Sequence, residues 1–451
     1  MKFKSWFQLP PKGDNVNINV FKYGDFLVAC TDSPVFQTVT QDLNTVGSVD
    51  LTEVISLTLA TAHPHFGEND SIYISGSSFK GRPNHHIVRI PPYSAVAGTD
   101  DPRESLAKAE IICSIPSRSI FNPSYSHSFG MTENYFIYCE TTVSLSLIKT
   151  VGKVLSGAAV NDAFSYDPQE MAVFHIISRA TGEVLPTKYQ IPGLFFFHTI
   201  NSYEDENHIV LDLCSFSDFQ TADLFTQPIE LFKNNEWKRK KHWSTYKHYP
   251  LRLVFPLSIP QTSPSNSNLV KLKDTTCTAY RNPSSDLLID VTSERLLPEG
   301  EKWRRLLNHL FLFFFLVASD NHGTRITANS DTGSEDRIDI PQINYAKCNG
   351  RKYRYFYGTG LILGKVDVVT KSSLRWRGSA SQYPSEPVFV PHPDATLEDD
   401  GVVLASVCDV DPSKRDFLLV LDGKTFQELA RAYVPEKVRV PYSIHGSYYS
   451  I

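Results

Sequence analysis

Short apolar or alternating runs, separated by turn-forming residues, recur along the whole chain. Residues 17–20, 26–29, 71–74, 86–90, 110–112, 136–139 and 172–177 read as strands, as do 208–213, 251–255, 287–291, 353–357, 388–390, 402–407 and 416–421. Many brief strands at short, fairly regular spacing predict an all-β sandwich, barrel or propeller. For 451 residues a single propeller domain over 1–451, at roughly 40–50 residues per blade, is the economical arrangement. No strict internal repeat is visible, so the pattern does not set the number of blades.

Two stretches depart from this pattern. Residues 144–160 are apolar with two lysines and two glycines, and Leu147, Ile148, Val151, Val154 and Leu155 fall at helical spacing. The stretch reads either as a helix packed on the core or as an interfacial segment that dips into a membrane while its lysines reach back to water. Residues 301–336 begin charged, continue through Leu306 to Ala318 with the triplet Phe313, Phe314 and Phe315, and end polar. The apolar part is too short to span a bilayer. A buried helix, a second membrane contact and an unsettled insertion are all open for it.

Composition narrows the partners more than the fold. With 44 basic against 49 acidic residues the net charge is -5, which argues against nucleic acid as a partner. The basic run 238–241 reads as a solvated loop, with anionic lipid as the minor alternative. The seven cysteines are scattered and form no Cys-x-x-Cys pair, which points to a reducing compartment and away from a thiolate zinc site. The N-terminus lacks the apolar core of a signal peptide, and no apolar run reaches the length of a membrane span. The expectation is a cytoplasmic protein, peripheral on intracellular membranes at most.

Four histidines sit in similar settings: His63, His127, His198 and His445 each follow a short apolar or small-residue run and precede a turn. In a propeller such strand ends converge on one axis, and imidazole is the commonest metal ligand. Four neutral imidazoles without a carboxylate suit divalent iron, copper or zinc. Asp32, Asp339 and Glu386 lie in uncharged surroundings. Each is a candidate to take the second N–H of a ligating imidazole, or else an ordinary turn cap.

At this point the motifs carry a resemblance. Residues 61–65, 124–140, 197–204 with 209–214, 340–345, 383–407 and the pair His445-Gly446 resemble the carotenoid cleavage oxygenase family, in its animal branch of β-carotene oxygenases and retinoid isomerohydrolase. The run from Ser385 through Ala395, followed by Glu398-Asp399-Asp400-Gly401, is highly specific. The resemblance implies a seven-bladed β-propeller, here incomplete on its N-terminal side, with one ferrous ion on the axis held by His63, His127, His198 and His445. His65 is the obvious false candidate. It implies Asp32, Asp339 and Glu386 as the supporting carboxylates, Asp32 serving His127. The family has glutamate at all three, so the two aspartates are expected to hold their imidazoles less tightly. Thr31 matches a residue close to the ion's open coordination position.

The implied reaction is oxidative cleavage of a conjugated C=C bond of a β-carotene-like substrate by O2, yielding retinal or apocarotenals. A rod-like polyene calls for a dry aromatic tunnel opening near lipid. Phe129, Phe196, Tyr203 and Phe216, with Phe195 and Phe197, lie beside the ligand motifs and are candidates for its lining, although each taken singly reads as core before it reads as tunnel. The segment 144–160 falls where the family has its membrane-facing patch. Two other readings stay open: a retinoid isomerohydrolase using the same ion as a Lewis acid, and an inactive carotenoid-binding isoform. The short N-terminus, the 301–336 insertion and the two aspartates motivate the latter.

Overall fold

The computed structural model describes residues 18–93, 101–156, 163–217, 247–260, 263–264, 266–297, 338–360, 362–379, 381–440 and 444–449. The insertion at 301–336, the basic run at 238–241 and residues 157–160 lie outside the described residues.

Each stretch expected to be a strand overlaps a strand of the structure, usually a longer one. The alternation that predicted them is the alternation that buries them. In Gly401–Asp409 the side chains of Val403, Ala405 and Val407 face inward while their neighbours are half-exposed. Several strands carried no such signal. Glu428–Tyr433 is wet on nearly every side chain, because it forms the outer edge of its sheet.

Among the described residues the strands form six sheets of four to six strands and one two-stranded ribbon. The first sheet runs in sequence order from Asn19–Tyr23 to Thr45–Asp50. The second contains Leu59–Ala60, His65–Phe66, Ile72–Ser78, Asn84–Ile90 and Glu110–Pro116. The third has six strands, among them Gly130–Met131, Tyr135–Glu140 and Met171–Ser178, and the fourth starts with Phe195–Asp205. The fifth starts with Asp339–Gln342, and the sixth with Gln382–Pro384 and Val388–Pro391.

The core is divided among the junctions between successive sheets. Phe21, Phe36, Ile74 and Val88 join the first to the second, and Ile87, Phe136 and Ile177 the second to the third. Phe174, Phe255 and Val366 link third, fourth and fifth, while Leu363, Val403 and Leu419 link fifth and sixth. The last described residues then return to the first strand. The Ser447 hydroxyl donates to Val20 O at 2.9 Å, and Tyr449 Oη accepts the Lys22 N–H at 2.9 Å. This succession of sheets around a centre is a β-propeller.

The helix expected within 144–160 is Leu147–Ser156. Its expected first residues instead form the strand Val143–Leu145, paired with Phe164–Tyr166. Ser146 marks the changeover, its carbonyl accepting the Thr150 N–H at 2.9 Å and its hydroxyl the Lys149 N–H at 3.4 Å. None of the helix's side chains is buried, and Ile148, Val151 and Leu155 are 69, 58 and 71% exposed. The alternative of a helix packed on the core is therefore not what the structure has. Among the described residues no helix is long and apolar enough to cross a membrane.

Candidate metal centre

Four segments far apart in sequence bring their histidines together. The expected setting, the end of an inner strand, describes them loosely. His198 lies inside the strand Phe195–Asp205, next to an irregularity in its pairing between Phe196 and Thr199. His63 is in the turn between Leu59–Ala60 and His65–Phe66, His127 precedes Gly130–Met131, and His445 is in the C-terminal tail.

These irregular segments are clasped by hydroxyls in place of sheet pairing. Thr61 Oγ1 donates to His127 O and accepts the His63 N–H, the latter at 3.0 Å. Ser128 Oγ donates to Phe197 O at 2.6 Å and accepts the Thr199 N–H at 3.0 Å. The backbones of His63, His127 and His198 are thereby tied to one another.

Ligand atoms of His63, His127 and His198 all lie within 4.8 Å of one another. Nε2 of His63 is 2.9 Å from Nε2 of His127, a separation that two imidazoles sharing one ion at roughly 2.0–2.2 Å each can have. The His445 ring centroid is 4.6 Å from that of His63 and 5.2 Å from that of His198. Burial, reinforced by the neighbouring imidazoles, holds His63 well below the ordinary imidazole pKa. Burial also lowers that of His198, with Asp339 opposing it. Both rings therefore stay neutral and keep a lone pair to give.

Three carboxylates fix the far side of the rings. Nδ1 of His127 is 2.8 Å from Asp32 Oδ2, Nδ1 of His198 is 2.8 Å from Asp339 Oδ1, and Nδ1 of His445 is 2.9 Å from Glu386 Oε1. The loosening expected of the two shorter carboxylates is absent at these contacts. Asp32 is the single residue that connects Phe26–Thr31 to Ser33–Thr40, just past an irregularity in their pairing between Ala29 and Thr31, and its Oδ1 also accepts the Ala62 N–H at 3.3 Å. Burial pushes the Asp32 pKa up, but His127, Tyr125 and that N–H more than offset it and leave it below the usual value.

With Nδ1 committed, the nitrogen left to each of these three rings is Nε2. In His198 that atom is buried without a hydrogen-bond partner, an arrangement that costs about 1–3 kcal/mol unless something accepts the lone pair. Orphaned buried nitrogen, neutral rings and carboxylate-oriented tautomers together fit a divalent transition-metal ion.

His65 is set apart from the cluster by its bonding. Its Nε2 contacts Phe129 O at 2.8 Å and its Nδ1 the Tyr345 hydroxyl at 3.1 Å, so both ring nitrogens are used. Thr31 closes its strand one residue before Asp32. Of the aromatic candidates, Phe129 packs with Phe136 and Tyr138, and Phe196 and Tyr203 lie in the large core cluster. Phe216 is buried too, in a smaller cluster that adjoins the histidines. It stands edge-on to Phe197 at 5.1 Å, and Phe197 stands edge-on to His127 at 5.0 Å. With Phe195, Phe164, Tyr125 and Tyr166 they form an aromatic group reaching from His127 to the ribbon Val143–Leu145/Phe164–Tyr166 that leads into the exposed helix.

Sequence reasoning missed Tyr125, Thr61, Ser128 and Gln342. Tyr125 donates to Asp32 Oδ2 at 2.6 Å, and Gln342 Nε2 donates to Glu386 Oε1 at 2.9 Å. Tyr125 had a signal, since it lies two residues before His127 and shares its face in extended chain. Thr61 has the same spacing to His63, while Ser128 and Gln342 had no such signal.

The retinal pigment epithelial membrane protein family model matches residues 3–450. The chain belongs to this family, the carotenoid cleavage oxygenases. It is 34% identical to the carotenoid-cleaving dioxygenase, mitochondrial, of Mustela putorius furo, over 100% of this chain and 77% of the relative. To the beta,beta-carotene 15,15'-dioxygenase of Mus musculus it is 32% identical, over 97% of this chain and 70% of the relative. Among solved structures, an apocarotenoid oxygenase of Synechocystis superposes with a TM-score of 0.65 at 17% identity, over 96% of this chain and 74% of that one. A cobalt-substituted form of that oxygenase superposes equally well, with a TM-score of 0.65 at 17% identity over 97% and 75%. At that identity the likeness establishes the propeller fold.

Proposed function

We propose that this oxygenase is a non-haem iron(II) dioxygenase that cleaves a conjugated C=C bond of a β-carotene-like carotenoid into retinal or apocarotenals. The observation that carries the reading is the convergence of four imidazoles, three of them turned by carboxylates, at the head of an aromatic group. His63, His127, His198 and His445 hold the ion. Asp32, Asp339 and Glu386 keep the rings in the tautomer that presents Nε2. When bound, iron(II) supplies the one-electron chemistry that lets O2 react with a closed-shell polyene. In the balance of the reaction both oxygen atoms end as carbonyl oxygens, one on each fragment, so no proton has to be delivered or removed.

The protein's own part is to bind, orient and keep dry. Phe197 and Phe164, half-buried and backed by the buried Phe195 and Phe216, would offer apolar aromatic surface to the polyene, and Thr31 would lie near the ion. The exposed side chains of Ile148, Val151 and Leu155, joined by Ile120 and Phe121 (55 and 61% exposed), make a peripheral contact with an intracellular membrane, from which the substrate enters. Leu147 N–H donates to Phe121 O at 2.9 Å, so the two patches are one surface. The seven-bladed form of the propeller belongs to the same proposal.

The test is incubation of iron-loaded protein with β-carotene and with apocarotenals in air, with products separated by chromatography. Aldehyde products that require O2 are expected. Unchanged polyenes would refute the reading, and conversion of retinyl ester without O2 would replace it with isomerohydrolase activity.

A further inference from the structure

The Asp32–His127 support is built as a triangle. His127 Nδ1 is 2.8 Å from Asp32 Oδ2, the Tyr125 hydroxyl is 2.6 Å from the same oxygen, and the phenol oxygen is 2.7 Å from His127 Nδ1. Two protons serve three heavy atoms. The phenol donates its proton to the carboxylate, and the imidazole N–H lies between the carboxylate and the phenol oxygen, which can both accept it.

Tyr125 is held in place for this by its packing. It is 7% exposed, with its ring edge-on to Phe164 at 5.4 Å and stacked near Phe195 at 6.5 Å. The hydroxyl cannot swing away without moving the aromatic group. Burial and the adjacent Asp32 push its pKa well up, so it remains a donor. Asp32 needs such a donor, because its Oδ1 is held by a longer contact, 3.3 Å to the Ala62 N–H. Without the phenol its carboxylate could turn about one soft torsion and release the imidazole.

We propose that Tyr125 is a positioning residue of the metal centre: its hydroxyl locks Asp32 and keeps His127 in the tautomer that turns Nε2 toward the ion. This rests on the metal-centre reading above. It predicts a loss in metal binding from a residue that touches no metal. Loss of such outer hydrogen bonds typically weakens metal affinity by about 10–100-fold.

The experiment titrates Co(II) into the metal-free protein, following the visible ligand-field bands. Three proteins are compared: wild type, Tyr125→Phe and Tyr189→Phe. The last is a matched control, a phenol 1% exposed whose hydroxyl donates to Pro256 O in the sheet core. Tyr125→Phe is expected to bind about tenfold or more weakly with displaced bands, and Tyr189→Phe to bind as wild type does. Wild-type affinity and bands in Tyr125→Phe would overturn the proposal, and so would equal weakening in both variants, which would mark a general packing effect. Failure of the wild type to bind cobalt would bring down the metal-centre reading and this one with it. If Tyr125→Phe does not unfold cooperatively, 4-fluorophenylalanine incorporated in place of Tyr125 fills the space of the hydroxyl without its proton. Wild-type cobalt affinity and bands would then overturn the proposal.

Discussion

A carboxylate matters at this centre through the nitrogen it does not touch. Asp339 accepts from His198 Nδ1 at 2.8 Å, and the opposite nitrogen of that ring is buried without a hydrogen bond. Asp339→Asn keeps the size but offers an amide that can present N–H in place of oxygen, which frees the ring to take the wrong tautomer. Iron affinity in this variant should fall about 10–100-fold, read by metal analysis after dialysis against a chelator, while the thermal transition stays cooperative. A second prediction concerns His86, away from the centre and bonded on both sides, to Ser78 at 2.8 Å and Ser114 at 2.9 Å. Burial pushes its pKa down from 6.5 to about 4. Above about 6.5 the ring is neutral folded and unfolded. Between about 6.5 and 4 the unfolded chain takes up a proton that the folded one refuses, so stability falls as the pH falls, by an amount of the order of 3 kcal/mol over the window. The melting temperature should drop across that range, and His86→Gln should flatten the drop.

At the scale of elements, the helix Leu147–Ser156 is a piece whose surroundings its sequence left open. Its apolar spacing fits a packed helix as well as an interfacial one, and Ile148, Val151 and Leu155 are mostly exposed. Ile148→Ser with Leu155→Ser should leave the melting temperature nearly unchanged, because little packing is lost. Binding to neutral phospholipid vesicles should weaken, by flotation, since each buried apolar side chain contributes about 1.5–3 kcal/mol. A large fall in melting temperature would show that the face is packed after all. Spacing alone left this undecided, because periodicity reports that one side is apolar and not what covers it. The same limit hid Glu428–Tyr433, an edge strand with no apolar face to announce it.

For the whole molecule, the site depends on the ends of the ring being brought together. His445 reaches the centre from the tail, and that tail is tied to the first strand by Ser447 and Tyr449. Tyr449→Ala removes the acceptor of the Lys22 N–H and should cost about 1 kcal/mol in denaturant unfolding. It should also lower iron affinity measurably, although Tyr449 contacts none of the four histidines through the bonds described. Unaltered iron affinity would mean that His445 keeps its place without this tie, through contacts such as Glu386, which also accepts the Gly446 N–H at 2.7 Å.

The sequence by itself determined many of the strands, because period-two burial is written into neighbouring residues, and it marked the four histidines through motifs specific enough to carry a family. It also named Asp32, Asp339 and Glu386. What those shorter carboxylates would do was decided only by the tertiary structure. A hydrogen bond depends on where two backbones lie as well as on side-chain length, and Asp32, on the tight connection between two strands, reaches His127 at 2.8 Å. The same holds for Tyr125, an unremarkable aromatic in the chain and one corner of a triangle once Asp32, 93 residues away, is folded against it. Local pattern sets what each segment can become. Contacts between distant segments set what the site can do.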